Sequence, residues 1–277
     1  MVYIYFLVSA VAIVLLNNFF EIFKQSYSWW LVPVLLIGFV LILIILQMAV
    51  LLGMIQFTNV EKPADKRKPF FRFILKISLP IILGGANVKI ISKGTEKLPK
   101  DGRFLFICNH QHDFDPVIIM KVFPDAELSF IGKKDIYADM PFIAKAMHLL
   151  GGVPIDREND REAAKAIIKC IKKIKDDTDS IAVFPEGYTN LNPKENTLLP
   201  FRNGSFKIAL KTGVPIVVCV INNTREIPKN LIRRRTVVDF RLIDVVNPED
   251  YENMNTQDLG AVLHEKMEAE LNLILGK

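Results

Sequence analysis

A histidine and an aspartate five positions apart are the residues of this chain best suited to general-base catalysis. His110 and Asp115 lie in the run N-H-Q-H-D-F-D-P at residues 109–116. Residues 104–108 are apolar and predict a buried strand, and Asp115 followed by Pro116 predicts a helix N-cap with proline at the first helical position. We therefore expect His110 on a turn between a strand and a helix, where catalytic side chains are often found.

The two residue types match the chemistry of proton abstraction from a hydroxyl. An imidazole with a reference pKa of about 6.5 is partly neutral near neutral pH and can accept a proton. A carboxylate that binds the other ring nitrogen selects the tautomer and stabilises the imidazolium that forms. The spacing alone leaves an alternative open, in which Asp115 only caps a helix and His110 is a polar residue at a strand end.

Three further segments place polar residues beside apolar strands. They are G-G-V-P-I-D-R at residues 151–157, F-P-E-G at 184–187 and V-P-I-V-V at 214–218. Together with the run around His110, they resemble the four sequence blocks of the glycerolipid acyltransferase family, which includes lysophospholipid acyltransferases. The resemblance covers roughly residues 88–225 and extends to I-G-K-K at 131–134, M-P-F-I at 140–143 and F-R-N-G at 201–204.

The resemblance implies direct acyl transfer, with His110 as the general base and Asp115 as the residue that orients it. The acceptor hydroxyl would attack an acyl thioester, carried by coenzyme A or by an acyl-carrier protein, without a metal or bound cofactor. Arg157 would bind the phosphate of the acceptor, because a planar guanidinium pairs bidentately with phosphate oxygens. The alternative for Arg157 is a surface ion pair with Glu158 or Asp160.

The F-P-E-G turn is implied to bind the acceptor through Glu186 and Gly187, since glycine lets a backbone approach a substrate closely. A structural role in the turn is the alternative for Glu186. The family commonly reads F-P-E-G-T-R-S, whereas this chain reads F-P-E-G-Y-T-N, with Thr189 where the family has arginine. Lys133, its neighbour Lys134 or Arg202 could supply the missing charge, or could be solvated surface residues.

The implied activity is phospholipid biosynthesis, in which 1-acylglycerol 3-phosphate becomes phosphatidic acid. Because Thr189 stands where the family commonly has arginine, the acceptor could instead be another lysophospholipid or glycerol 3-phosphate. A lipid-binding membrane protein without catalytic activity is the alternative from another class. Other chemistries lack their sequence patterns, because the four histidines and three cysteines have no zinc-site spacing and no G-x-S-x-G, G-x-G-x-x-G or P-loop sequence occurs.

The first 60 residues are predicted to form a hydrophobic helical hairpin that anchors the protein in a membrane. Only Glu21 and Lys24 are charged in this segment. Residues 29–54, as a helix, exceed the roughly 30 Å of a bilayer core, with Trp29 and Trp30 marking an interface. Residues 2–16 are shorter and could span marginally, lie re-entrant or pack as the other arm, and the sequence lacks the basic start and cleavage pattern of a signal peptide.

Residues 61–87 are predicted to be a basic amphipathic segment that lies on anionic lipid, or alternatively a helix packed on the following domain. The positive-inside rule then places the catalytic domain on the cytoplasmic face. The formal net charge of +5 does not indicate nucleic-acid binding, since no recognised motif carries it. The basic residues of this segment are Lys62, Lys66, Arg67, Lys68, Arg72 and Lys76.

Residues 88–277 predict an α/β acyltransferase domain with a mostly parallel sheet flanked by helices. In the helix at 159–175, the lysines at 165, 169, 172 and 173 are predicted to face solvent. The predicted strands are 88–92, 104–108, 128–132, 153–156, 181–184, 214–221 and 237–246. The predicted helices are 116–122, 140–150, 159–175, 202–212 and 256–274.

Overall fold

Short apolar runs form the strands of a single sheet in the part of the chain that the structure describes. The computed structural model describes residues 2–20, 30–61, 68–192 and 197–277. The strands are β1 (Val88–Lys93), β2 (Leu105–Cys108), β3 (Leu128–Lys133), β4 (Val153–Ile155), β5 (Ser180–Val183), β6 (Ile216–Asn222) and β7 (Thr236–Val246). They lie in the order β1-β7-β6-β2-β5-β3-β4, and only the β6–β7 pair is antiparallel among these strands. The prediction of a mostly parallel sheet flanked by helices is confirmed.

Helices cover both faces of this sheet. They are α1 (Val2–Phe20), α2 (Leu31–Gln56), α3 (Pro69–Gly85), α4 (Asp115–Val122), α5 (Ile136–Asp139), α6 (Pro141–Leu149), α7 (Asp160–Lys175), α8 (Lys207–Thr212), α9 (Ile227–Asn230), α10 (Pro248–Tyr251) and α11 (Thr256–Leu275). Alternate side chains of β2 point to opposite faces, so Leu105 packs with α7, α8 and α11, while Phe106 packs with α3 and α4. Both faces are buried, and the central strands β2, β5 and β6 are apolar except for Ser180 and Asn222 at strand ends.

The parallel direction of β2, β5 and β6 brings their carboxyl ends to one edge of the sheet. Three connections leave from this edge, at residues 109–114 after β2, 184–192 after β5 and 223–226 after β6. Ligands of open α/β sheets bind at such an edge. The candidate residues of the first and second connections are therefore brought together by the topology of the sheet.

The N-terminal helices form the predicted hydrophobic hairpin. Helix α1 packs against α2, and α2 is long and apolar enough to cross a membrane. Many of its aliphatic side chains are exposed on the protein surface. The predicted interface residue Trp29 lies outside the described residues, whereas Trp30 is exposed just before α2.

Helix α3 is bound to the sheet by an ion pair at the start of β5. Arg72 donates to a carboxylate oxygen of Asp179 at 2.7 Å and to the carbonyl of Leu150 at 2.9 Å. Lys76 forms an ion pair with Asp125. Two basic residues of the segment thus contact the α/β domain, while Lys62, Lys66 and Arg67 lie outside the described residues. The contact of residues 61–87 with lipid stays a prediction.

The solvent-facing position predicted for Lys173 is wrong. Its side chain is buried, and its ammonium donates to the second carboxylate oxygen of Asp179 at 2.9 Å. The reason is the helical period, because Lys173 follows Ala166 and Cys170 by seven and three residues and shares their buried face. Asp179 compensates the buried charge, so a lysine is tolerated at a core position.

Candidate active site

His110 and Asp115 lie side by side at the carboxyl edge of the sheet. His110 Nδ1 is 2.7 Å from Asp115 Oδ2, and the Asp115 side chain is fully buried. A carboxylate accepts this bond, so Nδ1 carries the hydrogen, and in a neutral imidazole Nε2 then has the lone pair that can accept a proton. The His110 ring stacks on Phe184 at 4.2 Å between centroids, which holds the plane of the imidazole. The predicted pair is therefore formed, with the geometry of a base and its orienter.

The carboxylate of Asp115 is held by four donors from two parts of the chain. Oδ2 accepts from His110 and from the backbone N–H groups of Gln111 at 2.7 Å and His112 at 2.9 Å. Oδ1 accepts from the hydroxyl of Thr224 at 2.5 Å. Helix α4 begins at Asp115 itself, one residue before the predicted start, so this carboxylate binds the preceding turn instead of capping the helix. These bonds leave the side chain little freedom to move.

Amide side chains flanking His110 fix the turn to the end of β6. The Asn109 side chain exchanges two hydrogen bonds with the backbone of Ile221, at 2.8 and 2.9 Å. Gln111 accepts from the backbone N–H of Asn223 at 2.9 Å. Sequence reasoning gave no role to Asn109, Gln111 or Thr224. The first two adjoin His110 in the sequence and could have been found there, but nothing in the pattern singles out Thr224.

Glu186 is buried beneath the turn and binds backbone rather than facing the groove described below. One carboxylate oxygen accepts from the N–H of His110 at 2.6 Å, and the other accepts from Leu199 at 2.9 Å. Burial raises the pKa of Glu186 to about 7, although the two backbone hydrogen bonds oppose the shift. Glu186 therefore joins three segments around the base, and its predicted contact with substrate stays a prediction.

The space beside Gly187 is filled by the side chain of Arg202. Gly187 has φ +76°, and a Cβ at this position would lie 2.8 Å from Arg202 Cδ. The absence of a Cβ at Gly187 therefore makes room for the Arg202 side chain, at the position where a substrate was expected to approach the backbone. Arg202 N–H also donates to the carbonyl of Pro185 at 2.8 Å, so the backbone of the turn determines where Arg202 begins.

A groove of about 610 Å³ opens next to the base, between α7, α8 and the ends of β4 and β5. Phe184, on which His110 stacks, lines one part of it. Arg157 and Arg202 line another part, and burial together with the charge of Arg202 lowers the pKa of Arg157. The aliphatic lining comprises Ile131, Ile155, Ile167, Ile168, Ile171 and Val183. Charged and apolar walls together suit a ligand with an anionic head and a hydrocarbon chain.

The remaining predicted residues lie at the surface near this groove. Lys133 is the last residue of β3 and is paired with Asp135, which raises the pKa of its ammonium. Thr189 is half-buried on the turn after Gly187, between Tyr188 and Asn190. Their contacts with a ligand stay predictions. Across the described ranges, no three His, Cys, Asp or Glu side chains gather as a metal site.

Comparison with known proteins gives consistent results. A family model described as Acyltransferase matches residues 89–222. The 1-acyl-sn-glycerol-3-phosphate acyltransferase of Haemophilus influenzae is 31% identical over 184 residues, which cover 65% of this chain and 74% of that protein. The enzyme of the same name from Borreliella burgdorferi is 30% identical over 208 residues, or 73% and 78% of the two chains.

A solved structure has the same fold. The crystal structure of the 1-acyl-sn-glycerophosphate (LPA) acyltransferase from Thermotoga maritima superimposes with a TM-score of 0.62. The match covers 85% of this chain and 96% of that one, at 21% sequence identity.

Proposed function

The chain belongs to the acyltransferase family, and we propose that it moves a fatty acyl group from an acyl thioester to 1-acyl-sn-glycerol 3-phosphate, giving phosphatidic acid. The observation that carries the mechanism is the bond of 2.7 Å between His110 Nδ1 and Asp115 Oδ2. The names of the relatives support the acceptor, as does Arg157 on the wall of the adjoining groove.

In the proposed reaction, His110 Nε2 takes the proton of the acceptor's free hydroxyl as its oxygen attacks the thioester carbonyl. The tetrahedral intermediate then expels the thiolate as the carbon–sulfur bond breaks, and the imidazolium returns the proton to sulfur. Asp115 stabilises the imidazolium between these steps. General-base catalysis of this kind contributes about 10²–10⁴ in rate, and the activated thioester and close positioning contribute the rest.

Arg157 is proposed to bind the acceptor's phosphate. It lies in the groove wall that approaches His110 through Phe184, so a bound phosphate could present its glycerol hydroxyl to the base. Thr189 supports a second candidate, a different lysophospholipid or glycerol 3-phosphate as acceptor, because it replaces the arginine that the family commonly has in this turn.

The reaction is proposed to occur at a membrane, with the catalytic domain on the cytoplasmic face. Helix α2 and its apolar surface support anchoring, and the basic residues that follow support the orientation. The proposed acyl donor is a thioester of coenzyme A or of an acyl-carrier protein.

The decisive experiment mixes the purified protein with one acyl thioester and a panel of acceptors, and identifies products by mass. The panel contains 1-acylglycerol 3-phosphate, glycerol 3-phosphate and lysolipids with choline or ethanolamine headgroups. We expect phosphatidic acid as the main product. A preference for the choline-headgroup lysolipid would show that 1-acylglycerol 3-phosphate is not the main acceptor. If no acceptor is acylated, the protein would instead be a lipid-binding protein without catalytic activity.

The base is tested by a matched pair of variants. His110→Ala should abolish transfer while membrane association is retained. His112→Ala should lower the transfer rate far less, because the contacts of the His112 ring are with Phe114 and not with Asp115. The ring accepts a hydrogen bond from the backbone N–H of Phe114 and stacks on the Phe114 ring. Equal losses in the two variants would exclude His110 as the specific base.

A further inference from the structure

Two guanidinium groups that line the groove face the same tyrosine ring. Arg202 Cζ lies 4.9 Å and Arg157 Cζ lies 5.5 Å from the centroid of Tyr188. Arg202 Nη2 also donates to the Tyr188 hydroxyl at 2.8 Å, and its Nη1 donates to the carbonyl of Arg157 at 3.4 Å. The two arginines are therefore held close together, although like charges repel.

Neither arginine is neutralised by a direct partner within the described residues. No described Asp or Glu forms an ion pair with Arg157 or Arg202, whereas nearby Lys133 and Lys134 pair with Asp135 and Asp156. The pKa of Arg157 is lowered by burial and then by Arg202, which is the cost of placing two cations together. An anion between them would relieve this cost, and forked donors favour phosphate oxygens.

The turn is constructed so that Arg202 reaches this position. Gly187 lacks the Cβ that would collide with Arg202, and the backbone of Pro185 binds the N–H of Arg202. The Tyr188 hydroxyl then orients the end of the side chain. Arg202 is exposed, yet these contacts hold its guanidinium beside that of Arg157.

We infer that Arg202 and Arg157 together form the site for the phosphate of the acceptor, and that Tyr188 is the positioning residue for Arg202. This inference rests on the proposed function and assigns the headgroup specificity of the same site. Arg202 thereby supplies the second cation that the turn lacks at Thr189. A phosphomonoester, which carries close to two negative charges at pH 7, matches two guanidiniums better than a phosphodiester with one.

The test compares two acceptors of equal chain length, 1-acylglycerol 3-phosphate and the phosphate-free 1-monoacylglycerol. Arg202→Gln should raise the KM for the phosphate-bearing acceptor about 10- to 100-fold, since a bidentate charged contact is lost. The KM for the donor and the rate with 1-monoacylglycerol should stay within about twofold. Arg202→Lys should raise the same KM less, because charge remains without the fork.

Two further variants separate positioning from folding. Tyr188→Phe keeps the ring but loses the hydroxyl, so we expect a smaller rise in the acceptor KM with kcat unchanged. Arg161→Gln is the matched control, because Arg161 is exposed on α7 and does not line the groove. Its constants should equal those of the wild type.

The outcomes distinguish this inference from the proposed function. If the wild type acylates both acceptors equally well, the proposed phosphate-bearing acceptor is wrong and the inference falls with it. If the wild type prefers the phosphate and Arg202→Gln keeps that preference, only the role of Arg202 is wrong. A rise in the donor KM instead would assign the arginines to phosphates of the donor and would overturn the inference.

Discussion

Asp115→Asn isolates the charge that faces the base. The amide oxygen can take the place of Oδ2 and accept the same three N–H donors, while the amide nitrogen donates to the rotatable hydroxyl of Thr224. The fold should therefore survive, and only the negative charge beside the imidazolium is lost. A hydrogen bond to a charged group contributes about 1.5–3 kcal/mol, which corresponds to about 10- to 150-fold in kcat.

The loss of about 10- to 150-fold in kcat is a lower bound. If the amide nitrogen instead faces His110, the ring takes the other tautomer, Nε2 carries the hydrogen and the loss is larger. The assay is steady-state transfer, with Asp113→Asn as the matched control because Asp113 is exposed on the same turn. We expect the acceptor KM to change little and the melting temperature to stay close to that of the wild type. An unchanged kcat, or an equal loss in the control, would refute the role of Asp115.

Three other predictions concern stability and attachment. Because burial raises the pKa of Glu186 above its unfolded value, the folded state holds this proton more tightly. The wild type should therefore gain thermal stability relative to Glu186→Gln as the pH falls through about 7 toward 4.5, and a pH-independent difference would contradict this. Asp179→Asn leaves the ammonium of Lys173 buried beside a neutral group, so we expect denaturant unfolding to show that the free energy of unfolding falls by about 3–5 kcal/mol. The control Asp176→Asn, at an exposed position, should leave the free energy of unfolding almost unchanged. A chain that begins at Lys62 should be washed from membranes by high salt, whereas the full chain should resist, because the 26-residue helix α2 does not depend on screened charge; salt extraction of the full chain would count against this.

The strands could be located from the sequence because each is a short apolar run between turn residues. Their order in the sheet could not, since it depends on pairings between distant segments. The antiparallel direction of β7 is an example, because its alternating burial would suit either direction. Local periodicity determines which side chains share a face, but it does not identify the neighbouring strand.

The contrast between local patterns and distant contacts also explains which residues of the site could be predicted. His110 and Asp115 meet across one turn, so their spacing in the sequence was informative. Thr224 and Glu186 reach this turn from 109 and 76 positions away, respectively, and their contacts exist only in the folded chain. The charge of Lys173 suggests an exposed position, but its place in the helical period puts it on the buried face, and its partner Asp179 lies beyond the helix.

The ion pair between Arg72 and Asp179 decides where the chain can be shortened without damage. β5 begins next to this pair and ends just before Phe184 and Glu186, so α3 and the turn that carries the base are attached to opposite ends of one strand. A chain cut at Val88 would lose α3, uncover the apolar sheet face that Leu83 covers, and leave Asp179 without its arginine. Soluble versions for crystallisation should therefore begin before Pro69. If α2 is held in a bilayer, as proposed above, its packing on α3 and α6 limits how the edge of the sheet that carries His110 can turn relative to the lipid.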